Sequence, residues 1–215
     1  MATRSLTRQY DPIFAKYGPP IPAAYLRALG YKESGLKASD SSGAMGLLSI
    51  EPVVMESYNE RHGTSYRRAD LVDPAINVMI VADHLKTIAG RFAKHPSKNM
   101  KMDWRNPEFV RLLTAGWNSG HSEAAGVGHV VSYLEANRLP VTHDNVFQYA
   151  AASGGTKYLQ NTAKQMWQRA VVELYYAQPD APGAGGGEIT KLVLGGFVVW
   201  GAYTLWQRSN RARTS

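Results

Sequence analysis

The residues best suited to chemistry in this sequence are Glu33 and the segment that follows it. Glu33 and Ser34 precede a polar stretch and then a run of small and apolar residues over 43–50, Gly-Ala-Met-Gly-Leu-Leu-Ser-Ile. A carboxylic acid against such an apolar wall loses hydration, and its pKa rises because burial disfavours the charged form. An acid that stays protonated near neutral pH can protonate the leaving oxygen of a glycosidic bond. The pattern therefore favours Glu33 as a general acid.

Two further motifs follow in the chain, Asp-Pro-Ala-Ile-Asn at 73–77 and Ala-Gly-Trp-Asn-Ser-Gly at 115–120. With the first motif they resemble the signature of the soluble lytic transglycosylase family, lysozyme-like enzymes that cleave the glycan strands of bacterial peptidoglycan. In that family Glu-Ser precedes Gly-Ala-x-Gly-Leu-Met-Gln-Ile, and Asp-Pro-x-x-Asn and Ala-Tyr-Asn-x-Gly come later. The resemblance extends over residues 20–175, and three motifs in order are more specific than any one of them.

The resemblance implies a reaction in which Glu33 is the catalytic residue. It protonates the leaving oxygen, the substrate's own N-acetyl group stabilises the cationic centre, and the glutamate then deprotonates the C6 hydroxyl of the muramyl sugar. The product has an anhydro-muramyl end, and no water is consumed. One residue can fill both roles when its pKa lies near the operating pH. We expect no cofactor and no metal.

The substrate-binding residues implied by the resemblance lie in the first and third motifs and at residue 158. They are Ser34, Gly43, Ala44, Met45, Gly46, Ser49, Trp117, Asn118 and Tyr158. The glycines and the alanine would give the cleft its shape, because small residues permit close approach of the backbone.

This sequence departs from the family pattern at three of these positions. Ser49 replaces a glutamine, which removes a long amide that could bind sugar, and Trp117 replaces a tyrosine, which keeps a stacking face but removes the hydroxyl. Tyr158 follows Thr156 at a shortened spacing, and the family's preceding glutamate is missing.

Each assignment has a purely structural alternative. Glu33 alone could be a solvated residue at a helix end, and Ser34 could be a local hydrogen-bonding partner of the backbone. Met45 favours packing over sugar contact, Trp117 is equally suited to the core and to sugar stacking, and Tyr158 could be an ordinary aromatic residue of a helix.

Two other functions remain open. A goose-type lysozyme-like muramidase would add water across the same bond and could use a second carboxylate. The candidates for that carboxylate are Asp40, Glu51, Asp70 and Asp73, of which Asp73 is better explained as a helix N-cap. The third possibility is a non-catalytic wall-binding or membrane component of a virion or secretion machine.

Composition limits the remaining classes of function. The chain has 215 residues, 44% of them hydrophobic, no cysteine and a formal net charge of +7, which favours contact with polyanions. Basic residues are not interleaved with aromatic residues along one segment, so we expect no nucleic-acid partner. His121, His129 and His143 do not have a metal-ligand spacing, and the glycines of 183–187 do not form a cofactor loop.

The elements that position the motifs are predicted to be helices. Pro22 and Gly35 bound a helix with Glu33 and Ser34 in its last turn, and Pro52 and Gly63 bound the next one. Further helices are predicted after Asp73-Pro74 and Asn106-Pro107 and over 129–136, 144–152 and 156–177. The fold class is mainly α, with a lysozyme-like helical domain followed by a flexible linker and a C-terminal transmembrane helix.

The predicted domain organisation has five parts. An N-terminal segment of 1–20 precedes the transglycosylase domain of 21–177, a Gly/Pro/Ala linker of 178–188, a membrane anchor of 189–207 and a basic tail of 208–215. The uncharged run 192–206 has 15 residues and as a helix spans only ~22 Å, short of the ~30 Å hydrocarbon core. Flanking residues reduce that gap, and a buried core helix is the alternative.

The sequence also suggests where the protein acts. Residues 1–17 are polar and include Arg4, Arg8, Asp11 and Lys16, so we expect no export signal there. We therefore expect a membrane-anchored enzyme in a bacteriophage virion or the host envelope, which opens the periplasmic cell wall locally during delivery of the phage genome. A bacterial enzyme in the inner membrane, with its catalytic domain in the periplasm, is the alternative.

Overall fold

Helices account for nearly all the regular structure of the computed structural model, which describes residues 6–38 and 45–182. Within those ranges the α-helices are Asp11–Tyr17 (α1), Ala23–Ser34 (α2), Pro52–His62 (α3), Pro74–Phe92 (α4), Pro107–Ser119 (α5), Val127–Ala136 (α6), His143–Gln148 (α7) and Thr162–Tyr176 (α8). Short 3₁₀ helices cover Arg68–Val72, Lys98–Met100 and Lys157–Gln160. Extended pairing in the same ranges is confined to an isolated bridge between Met45 and Ile50. The mainly helical prediction is confirmed for this part of the chain.

The boundaries of α2 and α3 follow from proline and glycine. Pro22 is the N-cap of α2, and Gly35, with φ of 69°, ends that helix in the left-handed conformation. Pro52 is the first residue of α3, and Gly63 ends it with φ of 63°. Glycine adopts this conformation without the steric penalty of other residues. The predicted position of Glu33 in the last turn of α2 is confirmed.

The starts of α4 and α5 are capped by side chains, as predicted. Asp73 Oδ1 accepts hydrogen bonds from the backbone N–H groups of Ala75 and Ile76, at 2.7 and 3.2 Å. Asn106 Oδ1 accepts one from Glu108 N at 3.0 Å. These bonds satisfy donors that a helix leaves free in its first turn. The apolar face of α4 is fully buried and includes Val81, Leu85, Ile88 and Phe92.

The core lies where α2 and α5 both pack against α8. An aromatic cluster forms part of it, with the Tyr25 ring 5.0 Å from that of Trp104 and 5.7 Å from that of Tyr175. The Tyr25 hydroxyl and Thr114 Oγ1 are hydrogen bonded at 2.9 Å, which connects α2 to α5. Because α2 carries Glu33 and α5 carries Trp117, this core fixes the two helices that bear the predicted site.

Two predicted helices differ from the structure. The helix predicted over 156–177 is divided at Asn161, whose side chain accepts from Ala163 N and Lys164 N and so begins α8 anew. The helix predicted over 144–152 is α7, which ends at Gln148 and is followed by turns. The side-chain cap at Asn161 competes with continuation of a single helix.

A buried arginine joins the first helix to the end of the domain. Arg27 on α2 has no exposed surface and pairs with Asp11 of α1 at 2.8 Å and with Asp180 at 3.0 Å. Phe14 of α1 is also buried, so residues within the predicted N-terminal segment are packed on the helical core. Sequence analysis did not predict α1.

The C-terminal predictions fall mostly outside the part of the chain that the structure describes. This applies to residues 183–188 of the linker, to the anchor of 189–207 and to the basic tail of 208–215. Over residues 6–38 and 45–182, no helix combines the length and the apolar character needed to cross a membrane.

Candidate active site

Glu33 lies half-buried in the last turn of α2, just before the chain reverses at Gly35. The left-handed conformation of Gly35 directs the chain away from the helix axis and leaves the end of α2 beside the segments that follow. Met45–Ile50 and the end of α5 are among the elements that lie close to this helix end, as the hydrogen bonds of Ser34 and Glu33 show.

Trp117 contacts Glu33 directly. Its indole Nε1–H donates a hydrogen bond of 2.8 Å to Glu33 Oε1, across 84 residues of sequence. Trp117 is itself half-buried in the last turns of α5. The indole N–H thus supplies a donor at the position where the family motif has a tyrosine hydroxyl, a role that sequence analysis did not assign to this residue.

The surroundings of Glu33 raise its pKa from the ordinary 4.5 to about 7. Loss of hydration is the largest cause, and the negative charge of Glu51 acts in the same direction. The hydrogen bond from Trp117 and the positive charge of Lys164 oppose this rise because both favour the carboxylate. The net result is a carboxyl group that can hold or release a proton near neutral pH.

Asn77 holds the wall segment Met45–Ile50 in place. Its buried side chain accepts a hydrogen bond from Leu48 N at 2.9 Å and donates to the carbonyls of Met45 and Leu71, both at 3.0 Å. The asparagine of the second motif therefore anchors the first motif to α4.

Gly46 is required by this arrangement. Its φ is 79°, and a Cβ added there would lie 2.0 Å from the carbonyl oxygen of Leu71 and 2.2 Å from Nδ2 of Asn77. Any side chain would displace the wall segment from α4. The predicted role of Gly46 as a shape-determining residue agrees with this close approach.

Ser34 connects the same wall segment, Met45–Ile50, to the end of α2. Its Oγ donates to the carbonyl of Leu47 at 2.7 Å and accepts from Lys37 N at 3.1 Å. These backbone contacts match the structural alternative considered for Ser34, and they position the segment that faces Glu33.

The other predicted residues of the first motif are placed differently from one another. Met45 is 3% exposed, and its Sδ accepts a hydrogen bond from Arg68 Nε at 2.9 Å, so packing is its observed environment. Ser49 is half-buried in the tight turn after Gly46, with φ of 47°. Gly43 and Ala44 lie outside the described residues.

Asn118 follows Trp117 and accepts hydrogen bonds from two side chains of α8. Lys164 Nζ donates to the backbone carbonyl of Asn118 at 2.8 Å, and Gln168 Nε2 donates to its side-chain Oδ1 at 3.3 Å. The side-chain Nδ2 of Asn118 then remains as the donor suited to an acetamido carbonyl.

Tyr158 lies at the edge of the site. It is 60% exposed, and the Lys164 ammonium lies 4.8 Å from the centroid of its ring. No hydrogen bond joins Tyr158 to Glu33, so the structure places it beside the acid's neighbours and open to contact by a ligand.

Two histidines pack behind Trp117. The His84 ring meets the Trp117 ring edge-on at 5.7 Å, and His121 meets His84 at 5.3 Å. Burial is the largest cause that lowers the pKa of each histidine to about 4. Repulsion from His121 lowers the pKa of His84 further, and the charge of Arg91 lowers the pKa of both histidines. Both rings are therefore neutral at the pH where Glu33 titrates.

The candidates for a second carboxylate are separated by their surroundings. Asp70 accepts a hydrogen bond from Arg67 N at 2.7 Å, and Asp73 caps α4, so both serve helix starts. Glu51 is exposed at the start of α3 and is near enough to raise the pKa of Glu33. Asp40 lies outside the described ranges.

Sequence reasoning missed Lys164, Gln168, His84 and His121. Lys164 and Gln168 are four residues apart and share a helix face, a signal that was present within the predicted helix of 156–177. The direction of that face depends on how α8 packs on α5, which no local pattern contains.

The chain matches a known protein family and is similar to a solved structure. The family model of the transglycosylase SLT domain matches residues 12–125. Among solved structures, the 70 kDa soluble lytic transglycosylase SLT70 from Escherichia coli is similar, with a TM-score of 0.55 and 20% sequence identity. The likeness covers 85% of this chain and 26% of that one. At this identity it shows the fold, which is the lysozyme-like helical fold that the motifs predicted. No curated protein matches the sequence.

Proposed function

The chain belongs to the transglycosylase SLT domain family, and from this premise we propose that it is a peptidoglycan lytic transglycosylase. It would cleave the bond between N-acetylmuramic acid and N-acetylglucosamine without water and leave anhydro-muramyl ends. The observation that carries this proposal is Glu33, a half-buried acid with a pKa of about 7 that accepts one hydrogen bond from Trp117.

The proposed reaction uses Glu33 twice. Protonated Glu33 first donates its proton to the glycosidic oxygen, and the bond from that oxygen to C1 of the muramyl sugar breaks. The N-acetyl group of the same sugar stabilises the positive charge at C1. The Glu33 carboxylate then removes the proton of the C6 hydroxyl as the O6–C1 bond forms, which regenerates the acid. The N–H of Trp117 stabilises the carboxylate between the two steps.

Asn118 supports the choice of an N-acetylated substrate. Gln168 engages its side-chain oxygen, so its Nδ2 is the group available to donate to the acetamido carbonyl. Such a bond would hold the N-acetyl group while charge develops at C1.

Glu51 favours a second candidate function, a muramidase. Its negative charge acts to raise the pKa of Glu33, and its carboxylate could activate a water molecule. Hydrolytic glycosidases use such a second carboxylate. The product would then carry a reducing muramyl end in place of the anhydro end.

The identity of the new sugar ends tests the proposal. Purified peptidoglycan is digested with the full chain and with Glu33→Gln, and the fragments are reduced with borohydride before mass spectrometry. Anhydro ends resist reduction, whereas reducing ends gain two hydrogens. Circular dichroism of both proteins controls for folding.

Each result has a distinct meaning. Anhydro ends that disappear with Glu33→Gln support the transglycosylase and its acid. Reducing ends would replace it with the muramidase, for which Glu51→Gln is the next variant. Absence of cleavage in all wall types would reject both enzymes and favour a wall-binding role.

The setting of this activity is a separate part of the proposal and rests on sequence. An apolar run at 192–206 between Lys191 and the arginines of the tail favours attachment to a membrane. In a bacteriophage particle such an enzyme would open the wall locally as the genome is delivered. Immunodetection in purified particles and in host membranes tests this setting, and absence from both would reject it.

A further inference from the structure

Helix α8 contacts the site from outside the segment that the family model matches, which ends at residue 125. Lys164 and Gln168 lie one helical turn apart and both bind Asn118, through its backbone carbonyl and its side-chain oxygen respectively. Gln168 is in turn held by the buried His143, at 2.9 Å. Residue 118 is therefore fixed at two points by one face of α8.

The bond from Lys164 acts at the end of α5. The last carbonyl groups of a helix have no partner within the helix, and the helix dipole makes that end negative. Lys164 supplies a donor and a positive charge to one of these carbonyls, next to Trp117. Because Trp117 donates to Glu33, the position of the acid's hydrogen-bond donor depends on how this helix end is held.

Helix stability does not account for a lysine at this position. Lys164 is the third residue of α8, in the first turn, where the helix dipole disfavours a positive charge. The penalty is offset by its contacts across the site, namely the carbonyl of Asn118 and the face of the Tyr158 ring. Its side chain is thus directed toward the acid's neighbours.

We infer that Lys164 is a positioning residue for Glu33, which acts through Asn118 and the end of α5 and supplies the cation that the acid faces. The inference rests on the proposed function only in treating Glu33 as the general acid. Glu51 and the Tyr25 hydroxyl are the other titratable groups that interact with Glu33, and neither is positive. The charge of Lys164 lowers the pKa of Glu33 against the effect of burial.

The Trp117 indole resonance provides a direct readout. In the ¹⁵N-labelled full chain, the Nε1–H signal of Trp117 should shift as Glu33 ionises, because the two groups are hydrogen bonded. Trp117→Phe identifies the signal, and Glu33→Gln should abolish its titration.

Removal of the lysine charge should move this titration. We expect the midpoint of Lys164→Met to be higher than that of the unmodified chain by about one pH unit, since a nearby positive charge is lost. Lys164→Arg, which keeps the charge and a donor, should restore most of the difference. The matched control is Lys157→Met, which removes an exposed lysine that does not contribute to the pKa of Glu33.

An unchanged midpoint in Lys164→Met, or an equal shift in Lys157→Met, would overturn the inference. The titration needs no substrate, so its result is independent of the proposed function. A chain that cleaves no wall polymer but shows the shift would retain Lys164 as a positioning residue and lose the enzyme assignment. A chain that cleaves the wall polymer but shows no shift would keep the enzyme assignment and lose Lys164 as a positioning residue.

Discussion

The indole N–H of Trp117 and the carboxyl of Glu33 form a 2.8 Å hydrogen bond between the ends of two helices. Burial favours the protonated acid, whereas this bond favours the carboxylate. The resulting pKa of about 7 lies where one group can give a proton and take it back.

The activity should depend on the protonated form of Glu33. We expect kcat/KM for wall cleavage to decrease as pH rises above about 7, the pKa of this group. His84 and His121, with pKa values of about 4, stay neutral through this range and should not contribute. Initial rates of fragment release, measured from about pH 5 to about pH 9, check this profile. Activity that increases steadily over the same range would contradict it.

Glu33 should reduce stability at alkaline pH. Its pKa in the folded protein, about 7, exceeds the ordinary 4.5, so the folded state binds more protons between these values. Stability therefore falls as pH rises from 4.5 to about 7 and stays lower above that. Glu33→Gln removes the penalty and should gain roughly 1 to 3 kcal/mol at alkaline pH, with little change near pH 4.

Thermal unfolding at the two pH values measures this difference. Glu60→Gln, which changes an exposed carboxyl on α3, is the matched control and should leave the melting temperature nearly unchanged at both. An equal melting temperature for Glu33→Gln and the unmodified chain at alkaline pH would show that Glu33 is not desolvated.

Loss of the indole donor should impair the acid. Trp117→Phe keeps an aromatic ring but removes the N–H, and we expect kcat to fall by about 10- to 100-fold. The alkaline decrease in kcat/KM should move to higher pH, because the carboxylate loses a stabilising bond. Trp117→Tyr provides a hydroxyl donor and should retain more activity. Steady-state kinetics across pH for the three proteins test this, and a normal profile for Trp117→Phe would exclude a role for the bond.

Gly46 and Gly35 should respond very differently to alanine. Both have positive φ, but a Cβ at Gly46 would lie 2.0 Å from the carbonyl oxygen of Leu71, whereas at Gly35 it would meet no atom within 4 Å. Gly35→Ala should therefore cost about 1 kcal/mol from backbone strain alone. Gly46→Ala should lower the free energy of unfolding by about 3 kcal/mol or more, since the segment Met45–Ile50 must also move. Urea unfolding of both variants measures the two losses of stability. Similar losses would mean that the segment Met45–Ile50 is not tightly packed on Leu71.

Arg27 should stabilise the domain through its two carboxylate partners. Replacement by methionine removes the buried cation of Asp11 and Asp180 and leaves them with the exposed Arg8. We expect the free energy of unfolding to fall by about 2 kcal/mol, because both carboxylates keep partial access to water and a second cation. The pairing lowers the pKa of Asp180, so its contribution is present above the ordinary value of 3.8 and is lost on acidification below it. Thermal unfolding measures the stability of Arg27→Met and of the unmodified chain. The difference in stability between them should decrease at low pH. A constant difference would contradict the ionic origin.

The helix boundaries could be predicted because their signals are local. Pro52 and Gly63, for example, bound α3 through backbone geometry that each residue determines on its own. Glu33 could also be proposed as the acid from the sequence, since it lies in a motif. The bond from Trp117 and the contacts of Lys164 could not be predicted, because they depend on how α2 and α5 both pack against α8. The division at Asn161 was missed because a side-chain cap within a polar helix resembles an ordinary helical residue.

Asn77 joins parts of the chain that lie far apart in sequence. The segment that it binds contains no helix, and Asn77 contacts Met45 and Leu48 across 32 and 29 residues of sequence. Contacts of such long range form late in folding, because the intervening loop must be closed first. In the unfolded chain, Glu33 is an ordinary hydrated carboxyl that ionises well below neutral pH. The raised pKa of Glu33 is therefore a property of the completed fold and not of the motif alone.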